Sequence, residues 1–106
     1  MCSSDLIMPG FVDAHVHYPQ TGVIASHGKQ LLDWLNDYTF PAEVAFADPA
    51  HAAAVADFFF DELLRNGTTT AAVYATVHPA SVEAFFGRAD ARRLRMLCGK
   101  IGRAHV

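Results

Sequence analysis

This sequence predicts an α/β fold built on a parallel sheet, and three stretches carry the prediction. Phe11-Val12-Asp13-Ala14-His15-Val16-His17 alternates its side chains between two faces at the period of a strand. Residues 48–66 hold apolar side chains at helical spacing. Thr68 to Thr76 is rich in β-branched and aromatic residues and reads as a second strand. Strand, helix and strand together make a right-handed βαβ unit with parallel strands.

The elements follow in order. Leu6-Ile7-Met8 is a short apolar run before Pro9-Gly10, where Pro9 fixes its own φ and Gly10 permits unusual dihedrals. In the strand that follows, Phe11, Asp13, His15 and His17 are predicted to share one face. Val12, Ala14 and Val16 form an apolar opposite face that needs a cover. Tyr18 to Asp48 is much longer than the two to six residues of a plain βα connection, and long loops of this kind tend to be functional. Within it, Leu31, Trp34, Leu35 and Tyr38 have helical spacing, with Gly28 and Pro41 just outside the predicted ends. Trp34 either packs on the rim of the sheet or touches a ligand.

Asp48-Pro49 opens the long helix, as N-cap and first helical residue. Ala52, Val55, Ala56, Phe59, Phe60 and Leu63 form its apolar stripe, and Asp57, Asp61 and Arg65 are expected to face away. Asn66-Gly67 ends it with a residue able to turn left-handed. After the second strand, His78-Pro79 leads into a short helix over Ser81 to Phe86, with Gly87 as its break. Leu94 to Cys98 is the third strand, with Cys98 a small buried apolar residue. His51, in a first helical turn, is expected to be exposed.

The chemistry gathers at the end of the first strand. His15 and His17 lie one strand period apart, so their rings can converge on one ion. Neutral imidazole binds zinc at about 2.0–2.1 Å. The alternative is a hydrogen-bonded histidine pair; the apolar rear of the strand favours the metal. Asp13 could orient a ring N–H or satisfy nearby backbone amides. Two ligands fall short of the three plus water that catalytic zinc usually has.

Pro9-Gly10-Phe11-Val12-Asp13-Ala14-His15-Val16-His17 resembles the first-strand metal motif of the amidohydrolase superfamily. His17-Tyr18-Pro19-Gln20, Leu31-Leu32-Asp33-Trp34-Leu35, Tyr38-Thr39-Phe40-Pro41-Ala42-Glu43 and Asn66-Gly67-Thr68-Thr69-Thr70 extend the resemblance to its guanine deaminase branch. The resemblance implies the N-terminal part of a (β/α)8 TIM barrel: the first three strands with their connecting helices. A complete barrel needs about 250 residues; this chain has 106.

The resemblance also implies a zinc-dependent aminohydrolase as the parent protein, taking guanine and water to xanthine and ammonia. It assigns His15 and His17 to the metal, and Gln20 with His17 to the substrate. A primary amide such as Gln20 offers donors and an acceptor together, which suits a purine edge. His78 follows the second strand at the expected catalytic face, but the family's other ligands come from later strands, as does its proton-shuttling glutamate. No complete catalytic set is expected here, and the chain alone is expected to be inactive. The parent is expected to be a homodimer.

Competing readings are another amidohydrolase, acting on adenosine-like nucleosides, triazines or dihydropyrimidines, and a non-enzymatic metal-binding module. The other zinc deaminase architecture carries His-x-Glu and Pro-Cys-x-x-Cys, which this sequence lacks.

The ends read differently. Ile101-Gly102-Arg103-Ala104-His105-Val106 can be encoded by a common short-read sequencing adapter, and the reverse complement of that stretch accounts for Cys2-Ser3-Ser4-Asp5. Residues 1–6 and 100–106 are therefore expected to be adapter-derived tails flanking a partial barrel over 7–99. Removing them leaves Cys98 alone, so no disulfide framework is expected. With 52% hydrophobic residues the composition is that of a packed core. A net charge of −3 and a few arginines near the end give no nucleic-acid patch. No apolar run approaches the roughly 18 residues of a membrane span. A cytoplasmic location and no membrane partner are the expectation.

Overall fold

A computed structural model describes residues 5–24 and 28–102. Three strands form its sheet: β1, Phe11–His17; β2, Thr68–Tyr74; and β3, Arg95–Gly99. They lie in the order β1-β2-β3, all parallel. The predicted second strand thus stops two residues early, and the third is shifted by one. Helix α3, Pro49–Arg65, crosses from β1 to β2, and α4, Pro79–Ala91, crosses from β2 to β3. Both pack on one face of the sheet.

The alternation of β2 decides which face that is. Ala71, Val73 and Ala75 are buried, while Thr70, Ala72 and Tyr74 point the other way. Beneath the buried row lie Phe59 and Phe60 of α3 and Phe85 of α4, joined by Tyr18 and Phe46 from the segment after β1. Fully burying a phenylalanine such as Phe60 or Phe85 contributes about 1.5–3 kcal/mol. Ala52, Ala56 and Ala89 let the helices approach the sheet closely. The other face is open: Phe11 is 57% exposed, Val12 69% and Leu97 67%.

Two glycines are required by geometry. Gly67 has φ +84°, ending α3 with its N–H on the Leu64 carbonyl at 3.1 Å. A Cβ on Gly10 would lie 2.1 Å from Thr69 Oγ1, so only glycine lets the chain enter β1 beside β2. At the other end of α3, Asp48 Oδ1 accepts the Ala50 N–H at 3.0 Å, the cap its sequence position suggested.

Several expectations need correction. Gly87 does not break α4. Ser81, Phe85 and Ala89 recur at four-residue spacing and are all buried, so the packing stripe runs straight past the exposed glycine. The helix ends at Ala91, and the chain turns away at Arg93, a non-glycine residue with φ 55°. There the Arg93 N–H reaches Asp90 and the Leu94 N–H reaches Ala89, closing a Schellman turn.

Pro41 does not lie outside a helix either. Residues Leu31–Trp34 (α1) pass through a π turn, Leu35–Thr39, into Phe40–Val44 (α2). The widened turn just before Pro41 accommodates a residue that has no N–H to donate. Asp57 and Asp61 lie off the apolar stripe as expected, but both are paired: Arg88 Nε meets Asp57 Oδ1 at 2.9 Å, and Arg92 pairs with Asp61. These ion pairs stitch α3 to α4. Of the apolar trio Val12, Ala14 and Val16, Val16 alone packs against the core.

Past the strand ends, the Ala75 N–H donates to Gly99 at 2.9 Å and the Ile101 N–H to Thr76 at 3.2 Å. Leu6 and Ile7 are exposed at the opposite end. Residues 1–4 and 103–106, most of the two expected tails, lie outside the described residues.

Candidate metal centre

The two histidines do converge. His15 and His17 Nε2 lie 3.3 Å apart at the C-terminal end of β1. Two nitrogens each about 2.0–2.1 Å from a tetrahedral ion would be about 3.3–3.4 Å apart, so the pair has the spacing of one edge of a zinc site. Burial, and after it the neighbouring His15, lowers the His17 pKa below the ordinary imidazole value. That favours the neutral ring, the form that binds a metal.

β1 carries a bulge just before the end of the strand. Asp13 sits opposite Ala71 and Val16 opposite Val73, so β1 advances three residues while β2 advances two. The strict alternation expected from the sequence therefore fails. Asp13 falls on the register of Ala71 and still lines the cleft with the two imidazoles. Its Oδ1 accepts the backbone N–H of His15 at 3.0 Å. Of its two predicted roles, satisfying a backbone amide is the one observed. His17 Nδ1 is buried with no hydrogen-bond partner among the described residues.

The chain then turns sharply. Tyr18–Val23 is a 3-10 turn with Pro19 at its start, and Thr21 Oγ1 donates to the Tyr18 carbonyl at 2.6 Å. This turn carries Gln20, half-buried, to the cleft that holds His15 and His17. The cleft has a volume of ≈ 790 Å³, and Trp34, Phe59 and Glu62 also line it. Trp34 is thus brought beside the histidines and Gln20.

Other candidates lie elsewhere. His78 caps the start of α4, and its Nδ1 is 3.0 Å from Thr76 Oγ1. His51 is exposed and meets Phe46 edge-on at 4.9 Å. Cys98 is half-buried, and burial pushes its thiol up to about 11. His27 falls outside the described residues. Among the described residues no group of three or more His, Cys, Asp or Glu side chains could hold a metal ion.

Sequence reasoning missed Tyr74. Its ring lies 4.7 Å from that of His15 and 4.8 Å from that of His17, nearly parallel to the latter at 20°. Tyr74 pairs directly with His17 across the sheet. That register was the missing signal, and a single strand's alternation does not contain it.

Known proteins share this arrangement of sequence and fold. The chain is 52% identical over 96 residues to guanine deaminase of Escherichia coli strain K12, covering 91% of this chain and 22% of that protein. It is 42% identical to a probable guanine deaminase of Deinococcus radiodurans, with the same coverage. Among solved structures, E. coli guanine deaminase superposes with a TM-score of 0.87 at 49% identity, covering 92% of this chain and 23% of that one. Guanine deaminase from C. acetobutylicum, with guanine bound in its active site, gives 0.81 at 34%, covering 86% and 22%. The chain therefore spans about a fifth of the length of the relatives it matches, and its three parallel strands are a partial barrel. The model of the amidohydrolase family matches residues 6–101. With the paired histidines on β1 and nearly the whole chain matched, this chain belongs to the amidohydrolase family.

Proposed function

We propose that this chain is the amino-terminal part of a zinc-dependent guanine deaminase, which converts guanine and water to xanthine and ammonia. The observation that carries the reading is the 3.3 Å approach of the His15 and His17 Nε2 atoms in a cleft that Gln20 also lines. The similarity to guanine deaminases supports the choice of substrate.

His15 and His17 would hold the ion as two neutral nitrogen donors. Zinc bound there would supply Lewis-acid activation of water at neutral pH. The remaining work falls to positioning. The 3-10 turn fixes Gln20 beside the histidines, where its amide can donate to and accept from one edge of a purine. Trp34 adds an apolar wall to the same cleft. The further ligands and the acid–base group belong to the remainder of the parent barrel, so residues 7–99 alone bind zinc weakly and release no ammonia. The parent is a cytoplasmic enzyme acting as a homodimer.

The test is metal analysis and kinetics on the complete protein. Stoichiometric zinc and a preference for guanine over adenosine, dihydropyrimidines and triazines are expected. Preference for any of the other three would transfer the chain to another amidohydrolase activity. Ammonia release from guanine by purified residues 7–99 would contradict the fragment reading.

A further inference from the structure

We infer that Tyr74 is a positioning residue for the metal-binding pair, acting as one aromatic wall against both imidazoles. The inference rests on the reading of His15 and His17 as metal ligands.

A histidine on a strand has two side-chain torsions, and on an open face nothing need confine them. His15 is exposed, and its ring nitrogen meets His17 as its hydrogen-bonding neighbour. Both rings nevertheless lie against the same surface. Tyr74 touches His15 at 4.7 Å, tilted by 45°, and His17 at 4.8 Å, close to parallel. These are favourable aromatic separations. Parallel pairing puts Tyr74 directly opposite His17, so the contact is built into the backbone register of β1 and β2.

The chemistry of the ring suits the task. A ring face offers no lone pair in competition for Nε2, so it constrains both imidazoles while leaving their nitrogens free for a shared ion. A hydrogen-bonding side chain at the same place would compete for those nitrogens. The aromatic face alone is needed, so phenylalanine should serve as well as tyrosine.

The experiment uses the complete zinc-loaded enzyme and reads zinc release to a chromogenic chelator, with cobalt-substituted absorption spectra beside it. Tyr74→Leu should weaken zinc retention roughly five- to a hundredfold and alter the cobalt spectrum, the loss of two ring contacts. Tyr74→Phe should match the wild type on both readouts. If Tyr74→Leu does not fold, Tyr74→Met, flexible and unbranched, is expected to show the same loss. Wild-type zinc retention and cobalt spectrum in a folded Leu or Met variant would overturn the inference. So would a Phe variant as impaired as Leu. His15→Ala and His17→Ala separate the two readings. If they lose zinc while Tyr74→Leu keeps it, the role of Tyr74 alone fails. If they keep it, the metal assignment fails, and this inference with it.

Discussion

The Tyr18 hydroxyl donates to the Ser81 carbonyl at 2.6 Å, tying the residue after His17 to the first turn of α4. Tyr18 and Ser81 are both fully buried. Ser81 is itself held by a hydroxyl network, with its Oγ 3.1 Å from the Thr76 N–H and 2.9 Å from Thr76 Oγ1. Burial above all, and next the nearby Cys98, pushes the phenol far above its ordinary range, so Tyr18 remains a donor at any working pH. The end of β1 is therefore clamped on its core side.

Removing that hydroxyl tests the clamp. Tyr18→Phe keeps the ring packing but removes the hydroxyl's hydrogen bond to a carbonyl that keeps its helical partner, at a cost of about 0.5–1.5 kcal/mol. A lower urea midpoint in the complete protein, with zinc content retained, is the expected result. An unchanged midpoint would mean that the clamp is not needed.

Gly87 gives the opposite sign. It lies exposed within α4, and a Cβ there meets nothing within 4 Å. Gly87→Ala should stabilise the protein by about 0.5–1 kcal/mol, since glycine loses more backbone entropy in a helix. The urea midpoint should rise. A fall would show that the helix needs the glycine.

The ends of α3 and α4 show how far the sequence could be read. Asn66-Gly67 announced the end of α3 because glycine marks left-handed backbone. The end of α4 carries no such mark, since an arginine, Arg93, adopts the left-handed conformation in a turn closed by backbone bonds to Asp90 and Ala89. Composition therefore pointed to Gly87 instead. The convergence of the two histidines was legible because both lie within a single strand, one period apart. The bulge at Asp13 and the placement of Tyr74 depend on how β1 pairs with β2, which no single-strand periodicity contains.

The open face of the sheet predicts behaviour in isolation. Parallel sheets are normally covered on both faces, yet Phe11, Val12 and Leu97 are exposed on this one. The 106-residue chain alone should bind a hydrophobic dye and self-associate, as measured by dye fluorescence and sedimentation. A dye-silent monomer with a sharp cooperative melt would contradict this.

Cys98 supplies a pH test. With its thiol raised to about 11 by burial, the folded protein keeps it neutral where a free cysteine already ionises. The thiolate is the nucleophile, so alkylation at pH 8 should be much slower than after denaturation, and should accelerate only as pH approaches 11. A folded-state rate equal to the denatured rate at pH 8 would show the thiol to be open.

The last prediction concerns what reads the substrate. A site built on hydrogen bonds rejects molecules that leave its buried polar groups unpaired. If Gln20 holds one edge of guanine, Gln20→Ala in the complete enzyme removes one or two such bonds. At about 0.5–1.5 kcal/mol each, and more where a partner stays buried without a mate, kcat/KM for guanine should fall roughly ten- to a thousandfold. Zinc content should be unchanged, because the amide is not a ligand. His15→Ala and His17→Ala should lose zinc and activity together, if the Nε2 atoms that approach to 3.3 Å hold the ion. Metal analysis run beside the kinetics separates the two kinds of loss. A Gln20→Ala enzyme that turns over guanine at the wild-type rate would remove Gln20 from the substrate site and leave the histidine pair untouched.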